Sequence, residues 1–493
     1  MNILIPLIPH STRHDKGMSK GFSSANFPLG VAYVVSAIRK KFPEVQIRVL
    51  PFDLQQIDTK EEIQRELCVI AREFTPDFIM FGGMITRYQY IITLSQVVRE
   101  LFPDAVQILG GGASTWGHYL FAGEAPIDFL TVGEAEETII SILTGNHENT
   151  PGIVDWAKNG FSAEKQITSN LNVIPIEKQI ASNLDIIPIP SHADFLVAEY
   201  INIQKRLTGW RTMPIVASRG CPFLCHFCTP STNSLRMRSV DNVIEEMKIL
   251  KSNYGADSVY FWDELQFVKK PWFEDLCRQM ILEKLNLKWV FVTRATLVRE
   301  KDIPLLKFAH EAGCVRVAVG IESGSEKILK AMNKNTTVQE MADALQRVRK
   351  AGIKATGSML LGTPGENENT VQSSIDFANK NLLETSFYNL IPLPGADVYE
   401  RYCKDKKLIP DEKQYMYKVS SSGGDASNII MNLTEMDDAT YISETTRANQ
   451  SVKKFGLVHA VRYYRLLDGV IYMLNKKLSA IRRMLSGRIF DTP

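Results

Sequence analysis

Three cysteines in one short segment are the residues of this chain best suited to chemistry. Cys221, Cys225 and Cys228 form a CxxxCxxC pattern that begins after the apolar stretch Ile215–Ala217 and three further residues. Three thiolates can hold a metal centre without closing it, whereas a structural zinc ion takes four protein ligands. A cubane iron–sulfur cluster bound by three cysteines keeps one iron free for another molecule. The spacing therefore predicts a 4Fe-4S cluster with one open iron.

Two simpler interpretations compete with the cluster. His226 or a distant cysteine could complete a zinc knuckle, or the three cysteines could be buried together without any metal. The other cysteines, Cys68, Cys277, Cys314 and Cys403, are scattered, and none forms a second CxxC pattern. Because the seven cysteines show no paired framework, the sequence also indicates a reducing compartment.

Composition narrows the class of protein. The chain has 493 residues, too many for one compact domain, with 45% apolar and 23% charged residues. Its formal charge of +2 predicts no general polyanion partner and no nucleic acid. Met1–Ile8 is apolar but lacks the basic start and cleavage site of a signal peptide. No apolar run approaches the roughly 18 residues of a membrane span, so we predict a cytoplasmic protein.

Residues 1–150 alternate between strand and helix patterns. This alternation is typical of a doubly wound, Rossmann-like parallel sheet. Its predicted strands are Ile3–Ile8, Ile47–Leu50, Phe78–Phe81, Val106–Leu109 and Phe129–Val132, and its predicted helices are Leu29–Lys41, Ile63–Phe74 and Ile91–Leu101. In such sheets ligands bind beyond the carboxyl ends of the strands. Glycines follow the third and fourth strands, so we predict a ligand site there.

A second strand–helix series occupies residues 211–410. Its predicted strands are Ile215–Ser218, Ser258–Trp262, Trp289–Thr293, Val315–Gly320, Lys354–Leu361 and Ser386–Ile391. Six such units predict a partial (β/α)6 barrel, in which catalytic residues lie at the strand carboxyl ends. Residues 151–210 are predicted to be a linker; within it, residues 166–177 are echoed by 179–190 with eight of twelve positions identical. Residues 411–493 are predicted to be mainly helical.

Taken in order, these motifs resemble the radical S-adenosylmethionine (radical SAM) enzymes, and within them the subgroup with an N-terminal cobalamin-binding domain. The motifs that carry the resemblance are Phe27–Gly30, Leu109–Gly112, Gly133–Thr138, the cysteine segment with Phe227, Arg236–Ser239, Gly320–Gly324 and Ala331–Lys334. The chain lacks the DxHxxG motif of histidine-ligated cobalamin domains. Its nearest segment is Thr12–Gly17, where His14 is better explained as a solvated loop residue than as a ligand.

The resemblance implies that SAM chelates the open iron and is split to a 5′-deoxyadenosyl radical. It implies SAM contacts at Phe227 and at polar residues after successive barrel strands, which are Asp263, Glu264, Arg294, Glu322 and Ser323. Either Asp263 or Glu264 would face the SAM ammonium, and Arg294 suits its carboxylate. The implied cobalamin contacts are Gly82, Gly83, Met84, Thr86, Gly110, Gly111, Gly112 and Ala113, with Glu134 nearby.

The resemblance implies a cobalamin-dependent methylase that acts on an unactivated carbon of a small-molecule or natural-product substrate. An electron donor such as flavodoxin or ferredoxin would reduce the cluster. The alternative is a radical SAM cyclase, oxidase or rearrangement enzyme in which cobalamin has another role or is absent; a non-catalytic cofactor-binding protein is a third class.

Residues 453–488 carry nine Lys or Arg and one Asp on a helical pattern. This pattern predicts a solvated basic face, an anionic-substrate surface or peripheral membrane contact.

Overall fold

Two parallel-stranded sheets form the framework of the computed structural model, which describes residues 1–9, 26–148, 150–156, 178–422 and 428–463. Side chains of the last of these ranges are described as far as residue 452. The first sheet is doubly wound, and the second is a curled half-barrel. The predicted α/β fold class is confirmed.

The first sheet has the strand order β2-β1-β3-β4-β5-β6. Its strands are β1 Asn2–Pro6, β2 Gln46–Leu50, β3 Phe78–Gly82, β4 Val106–Gly110, β5 Phe129–Thr131 and β6 Ile153–Asp155. All neighbours are parallel except β6, which is antiparallel to β5. Its helices are α1 Leu29–Lys41, α2 Phe52–Gln55, α3 Lys60–Ala71, α4 Tyr88–Leu101, α5 Gly112–Gly117 and α6 Ala135–Leu143. Because helices cover the sheet, its central strands are almost continuously apolar.

The second sheet has the order β14-β13-β12-β11-β10-β7, and every pair is parallel. Its strands are β7 Thr212–Ile215, β10 Ser258–Phe261, β11 Lys288–Arg294, β12 Cys314–Glu322, β13 Lys354–Leu361 and β14 Phe387–Asn389. The sequence predicts that the first strand begins at Ile215, whereas in the structure β7 ends at Ile215. Ser218 instead belongs to a short strand, β8 Ser218–Arg219, which pairs with β9 Arg236–Met237. This ribbon draws the chain out of the sheet.

Helices cover the outside of the half-barrel and continue beyond it. They are α7 Val197–Thr208, α8 Val240–Tyr254, α9 Lys270–Leu282, α10 Ile303–Glu311, α11 Glu326–Ala331, α12 Val338–Lys350, α13 Glu368–Lys380, α14 Glu412–Ser421 and α15 Asp438–Tyr463. A π-helical turn, Val398–Lys404, lies between β14 and α14. Several helices begin at capping boxes; at α12, for example, the Thr337 side chain accepts from the Glu340 N–H and the Glu340 carboxylate accepts from the Thr337 N–H.

The part of the predicted linker that is described packs closely against both sheets. Gln179 forms a bridge with Gly133, and Leu184 and Ile187 are buried. The linker interpretation therefore understates how much these residues contribute to the core. The first copy of the duplication, the His14 segment and the basic residues from 453 onwards lie outside the residues whose side chains are described. Among the described helices, none combines the length and apolar composition that a membrane span requires.

Candidate functional site

The cysteine loop, residues 220–235, leaves the half-barrel between β8 and β9. Gly220 begins it with a φ of +93°, and a Cβ there would collide with the carbonyl oxygen of Ser234. The Cys221 N–H donates to the Thr232 carbonyl at 2.9 Å, so the two ends of the loop are tied together. A residue with a side chain could not start this loop without strain.

Asp263, one of the predicted SAM contacts, instead anchors the segment that leads into the cysteine loop. Its buried carboxylate accepts from the Ala217 N–H at 3.1 Å, from the Ser218 N–H, and from the Ser218 hydroxyl at 2.5 Å. Burial raises the pKa of Asp263 to about 6, although these hydrogen bonds favour the charged form. Its neighbour Glu264 is exposed and accepts from the Ser231 N–H at 2.6 Å. Glu264 is therefore the acid that faces the loop.

The three cysteines are free thiols placed around the tip of the loop, and Cys228 is the most exposed of them. Burial raises the pKa of the Cys221 thiol, and the nearby Glu264 and Cys225 raise it further. Arg294 Nη1 donates to Cys225 Sγ at 3.1 Å. An arginine at this distance stabilises a thiolate, which is the form that binds iron.

His226, the alternative zinc ligand, is engaged by other groups. Its Nδ1 lies 2.9 Å from the Ala331 carbonyl oxygen and its Nε2 lies 3.5 Å from the Asp397 carboxylate. Within the described ranges, no three or more His, Cys, Asp and Glu side chains are grouped so that they could hold a single metal ion. The donor set at the loop is three thiols beside a guanidinium, which fits a three-cysteine cluster.

Polar residues at the ends of β11 and β12 meet behind the cysteine loop. The Arg294 guanidinium is 6% exposed, lies 3.9 Å from the centroid of the Phe223 ring and donates to the Lys334 carbonyl. Lys334 Nζ pairs with the Glu322 carboxylate at 2.8 Å, and the other oxygen of that carboxylate lies 3.3 Å from the Ser358 hydroxyl. Glu322 has a φ of +67°, an uncommon backbone for a non-glycine residue and typical of functional sites.

Lys334 is the residue of this group that sequence reasoning did not select. It belongs to the Ala331–Lys334 motif, which is one of the motifs that resemble the radical SAM family. The sequence analysis attached no role to that motif. Its buried ammonium joins Glu322 to the loop, since its Nζ also lies 5.7 Å from the centroid of the Phe227 ring. The motif could have identified it.

Ser323 is buried, whereas Phe227 lies at a cavity beside the cysteine loop. The Ser323 hydroxyl is fully buried, accepts from the Ser325 N–H at 3.2 Å and lies 3.2 Å from the Ser374 hydroxyl, so it shapes the turn after β12. Phe227 is half-buried and lines a cavity of about 250 Å³ together with Met332. This cavity lies between the cysteine loop and the ends of β13 and β14, where a flat ring can enter.

At the carboxyl edge of the first sheet, the predicted glycines lie together. The Gly83 N–H donates to the Gly110 carbonyl at 3.4 Å, and the Ala113 N–H donates to the Gly83 carbonyl at 2.8 Å. Gly111 has a φ of +81°, and a Cβ there would lie 3.0 Å from the Gly83 oxygen. The two turns therefore pack backbone against backbone, which only glycine allows.

The remaining residues predicted at this edge differ in exposure. Met84 is 50% exposed and its sulfur lies beside Gly112, Thr86 is half-buried in a short 3-10 turn, and Ala113 is fully buried. Met84 is the predicted side chain with the most surface open to a ligand at this edge.

Glu134, also predicted near this ligand, joins the first sheet to the cysteine loop. Its carboxylate pairs with Arg236 at 2.7 Å and Arg219 at 3.4 Å, and accepts from the Ala181 N–H at 2.7 Å. Burial alone would raise the pKa of Glu134, but the arginines hold it below its usual value. Since Arg219 and Arg236 lie on β8 and β9, this ion pair fixes the base of the loop against the first domain.

A cleft of about 660 Å³ separates the cysteine loop from the first sheet. Cys225 and Cys228 line it on one side, and Trp116 of α5 lines it on the other. Helix α5 begins at Gly112, directly after the glycine turn of β4. Of the cofactor contacts predicted from the sequence, Cys225 and Cys228 line this cleft and the others do not; Trp116 brings the helix after the glycine turn of β4 to its opposite wall. We call it the central cleft.

Comparison with known proteins shows similarity to radical SAM proteins over the half-barrel. The model of the Radical SAM superfamily matches residues 215–378. An uncharacterised methyltransferase of Pyrococcus horikoshii is 28% identical over 413 residues, which are 81% of this chain and 83% of that protein. The anaerobic magnesium-protoporphyrin IX monomethyl ester cyclase of Cereibacter sphaeroides is 25% identical over 403 residues, which are 79% of this chain and 62% of the cyclase.

Among solved structures, the radical S-adenosylmethionine methyltransferase TsrM from Kitasatospora setae, with cobalamin and a 4Fe-4S cluster bound, has a similar fold. The TM-score is 0.62 at 17% identity, over 82% of this chain and 78% of TsrM. This likeness concerns the fold.

Proposed function

Because residues 215–378 form a radical SAM domain, we propose that this protein is a cobalamin-dependent radical SAM enzyme that methylates an unactivated carbon. The observation that carries the proposal is the central cleft, which has the cysteine loop on one side and α5, which begins within the glycine turn, on the other. A carbon held there would lie beside Cys225 and Cys228, with Trp116 of α5 on the opposite wall. The methyltransferase named among the relatives, and the fold shared with TsrM, support the same function.

In this proposal Cys221, Cys225 and Cys228 hold a 4Fe-4S cluster. With SAM on its open iron, such a cluster supplies the electron that splits SAM into methionine and a 5′-deoxyadenosyl radical. The chain positions the loop: the Arg294 guanidinium donates a hydrogen bond to the Cys225 sulfur, and Asp263 fixes the entry of the loop.

SAM is placed between the cluster and the ends of β11 and β12. Its ammonium and carboxylate leave water on binding, which costs several kcal/mol, on the order of 3–5, unless each finds an opposite charge. Exposed Glu264 suits the ammonium, and Arg294 suits the carboxylate. Glu322 suits the ribose hydroxyls, with Ser323 shaping its turn, and the cavity beside Phe227 suits the adenine.

Cobalamin is placed at the carboxyl edge of the first sheet, where it supplies the methyl group that the substrate carbon receives. The glycine turns let the backbone approach a bulky planar ligand, and Met84 and Thr86 offer side chains at the same edge. In our proposal Glu134 does not contact cobalamin directly, because its carboxylate is paired with Arg236 and Arg219.

Replacing Glu322 with alanine tests the SAM site. The Glu322→Ala variant should bind SAM about tenfold more weakly, because one charge-assisted hydrogen bond is lost, while its iron content and cluster absorbance stay unchanged. Glu311→Ala, which removes an exposed carboxylate from α10, is the matched control and should bind SAM normally. SAM affinity equal to that of the wild type in Glu322→Ala would contradict this placement.

The fate of the SAM methyl group separates methylation from the alternative chemistry. The reduced protein, loaded with cobalamin and given SAM with a trideuterated methyl group, should form S-adenosylhomocysteine as well as 5′-deoxyadenosine. A cyclase or oxidase, like the relative from Cereibacter sphaeroides by its name, would form 5′-deoxyadenosine without S-adenosylhomocysteine. That second result would replace our proposal with the alternative.

A further inference from the structure

Lys178 is a half-buried cation in the central cleft that the proposed chemistry does not use. Its ammonium lies 3.2 Å from the centroid of the Trp116 indole ring, and both residues line the cleft opposite Cys225. Burial lowers the pKa of Lys178 to about 8, and within the described ranges no neighbouring carboxylate counteracts this. A lysine that is partly desolvated on an aromatic ring gains from an anionic partner.

The acidic residues of the same cleft already have partners. The Asp397 carboxylate pairs with Arg401 at 2.7 Å, and the Glu400 carboxylate pairs with Lys404 at 3.1 Å. In each pair the carboxylate and the cation are four residues apart in the chain, so each carboxylate is paired locally. Lys178 differs because an aromatic face is its neighbour in place of a carboxylate.

The walls around Lys178 are apolar and open. Ile180 is 38% exposed and Leu224 is 62% exposed, and both line the cleft together with Phe223 and Trp116. Large apolar side chains that face one another across an open cleft indicate a surface that a ligand covers. Arg401, the other cation of the cleft, is paired with Asp397, whereas Lys178 lies on an aromatic ring beside these apolar side chains.

We propose that Lys178 and Trp116 form the substrate-binding end of the central cleft and select a substrate with an apolar, flat body that carries a carboxylate or phosphate group. This inference rests on the proposed function, which places the reacting carbon in the same cleft. The anion pairs with Lys178, and the body lies between Trp116 and Leu224. Lys178 is then a binding residue that fixes which carbon faces the cysteine loop.

A fluorescent pair of probes tests the site without knowledge of the substrate. 8-Anilinonaphthalene-1-sulfonate is a flat anion, and N-phenyl-1-naphthylamine is its uncharged analogue. Lys178→Gln should weaken binding of the sulfonate about tenfold, the size of one lost charge-assisted contact, and leave the neutral probe unchanged. Lys178→Arg should retain the sulfonate, and Lys301→Gln, an exposed lysine elsewhere, should behave as the wild type. Equal sulfonate affinity in Lys178→Gln would overturn the proposal.

SAM and cobalamin also carry anionic groups, and each is a competing source for the partner of Lys178. In protein saturated with both cofactors, the sulfonate should still bind, and Lys178→Gln should bind SAM and cobalamin normally. Loss of affinity for either cofactor in Lys178→Gln would assign the lysine to that cofactor and refute a substrate site. The probe assay needs no turnover, so absence of methyl transfer would refute the proposed function while leaving the anion site to be judged by the probes.

Discussion

Cys225→Ala is expected to reduce cleavage of SAM to the background of the protein-free reaction and to lower the iron content of the purified protein. The physical reason is that three thiolates are the minimum set at this loop, and Cys225 is the one whose sulfur receives the Arg294 hydrogen bond at 3.1 Å. Without it, the cluster would lose a ligand and the guanidinium would lose its sulfur acceptor. Formation of 5′-deoxyadenosine under anaerobic reduction, and iron per chain, measure the two effects.

Cys68→Ala is the matched control for this experiment. Cys68 lies on α3, a partly exposed free thiol of the first domain. Its removal should leave both the iron content and the formation of 5′-deoxyadenosine unchanged. Sustained SAM cleavage in Cys225→Ala, or zinc in place of iron in the wild-type protein, would show that the loop has another role.

Arg238→Ala is expected to lower the free energy of unfolding by about 3–5 kcal/mol, the cost of leaving a buried carboxylate without its partner. The Arg238 side chain is 4% exposed and pairs with Glu246, which is fully buried on α8. It also donates to the Val216 carbonyl at 2.8 Å and to Asn242 at 2.6 Å. Because these contacts fix the chain directly after the cysteine loop, cluster loading should fall as well. Denaturant unfolding measures the first effect.

An exposed ion pair of the same type provides the comparison. Arg278 pairs with Glu274 on α9 at 2.8 Å, and both side chains are about half exposed (55% and 52%). Arg278→Ala should change the free energy of unfolding by less than about 1 kcal/mol, because water replaces the lost contact. If the two variants were destabilised equally, burial would not be what makes the Arg238 pair important.

Local patterns in the sequence were sufficient to predict the parts of the molecule that local interactions determine. The helix Leu29–Lys41 and the strand Lys354–Leu361 have the predicted bounds, because apolar periodicity and end signals lie within each segment. The prediction that the three cysteines bind a cluster also rests on a local pattern, since their spacing is itself the signal.

Contacts between distant segments could not be predicted in this way. Which of Asp263 and Glu264 faces the loop depends on the backbone of residues 217 and 218, which bonds to Asp263. The role of Glu134 depends on Arg236, more than a hundred residues later, and the environment of Lys178 depends on Trp116. Tertiary packing determines which of these residues come together, and a pattern within either segment does not predict the pairing.

The strand before the cysteines shows how two local signals compete. The apolar residues around Ile215 favoured a strand as far as Ser218. The structure ends β7 at Ile215 because the N–H groups of residues 217 and 218 bond to Asp263, while Ser218 turns to pair with Met237. A buried carboxylate from another strand outweighs the local β-propensity there.

Cofactor content tests the central claim most directly: that the protein binds two different cofactors, one at each sheet. Protein purified without oxygen from cells supplied with cobalamin should contain one 4Fe-4S cluster and one cobalamin per chain, measured as iron, acid-labile sulfide and the corrinoid absorption spectrum of the same sample. Cobalamin should remain bound in Cys225→Ala, since its site lies on the other sheet. A sample that carries the cluster but takes up no cobalamin, even when the corrinoid is supplied in excess, would contradict the account and leave a radical SAM enzyme of another kind.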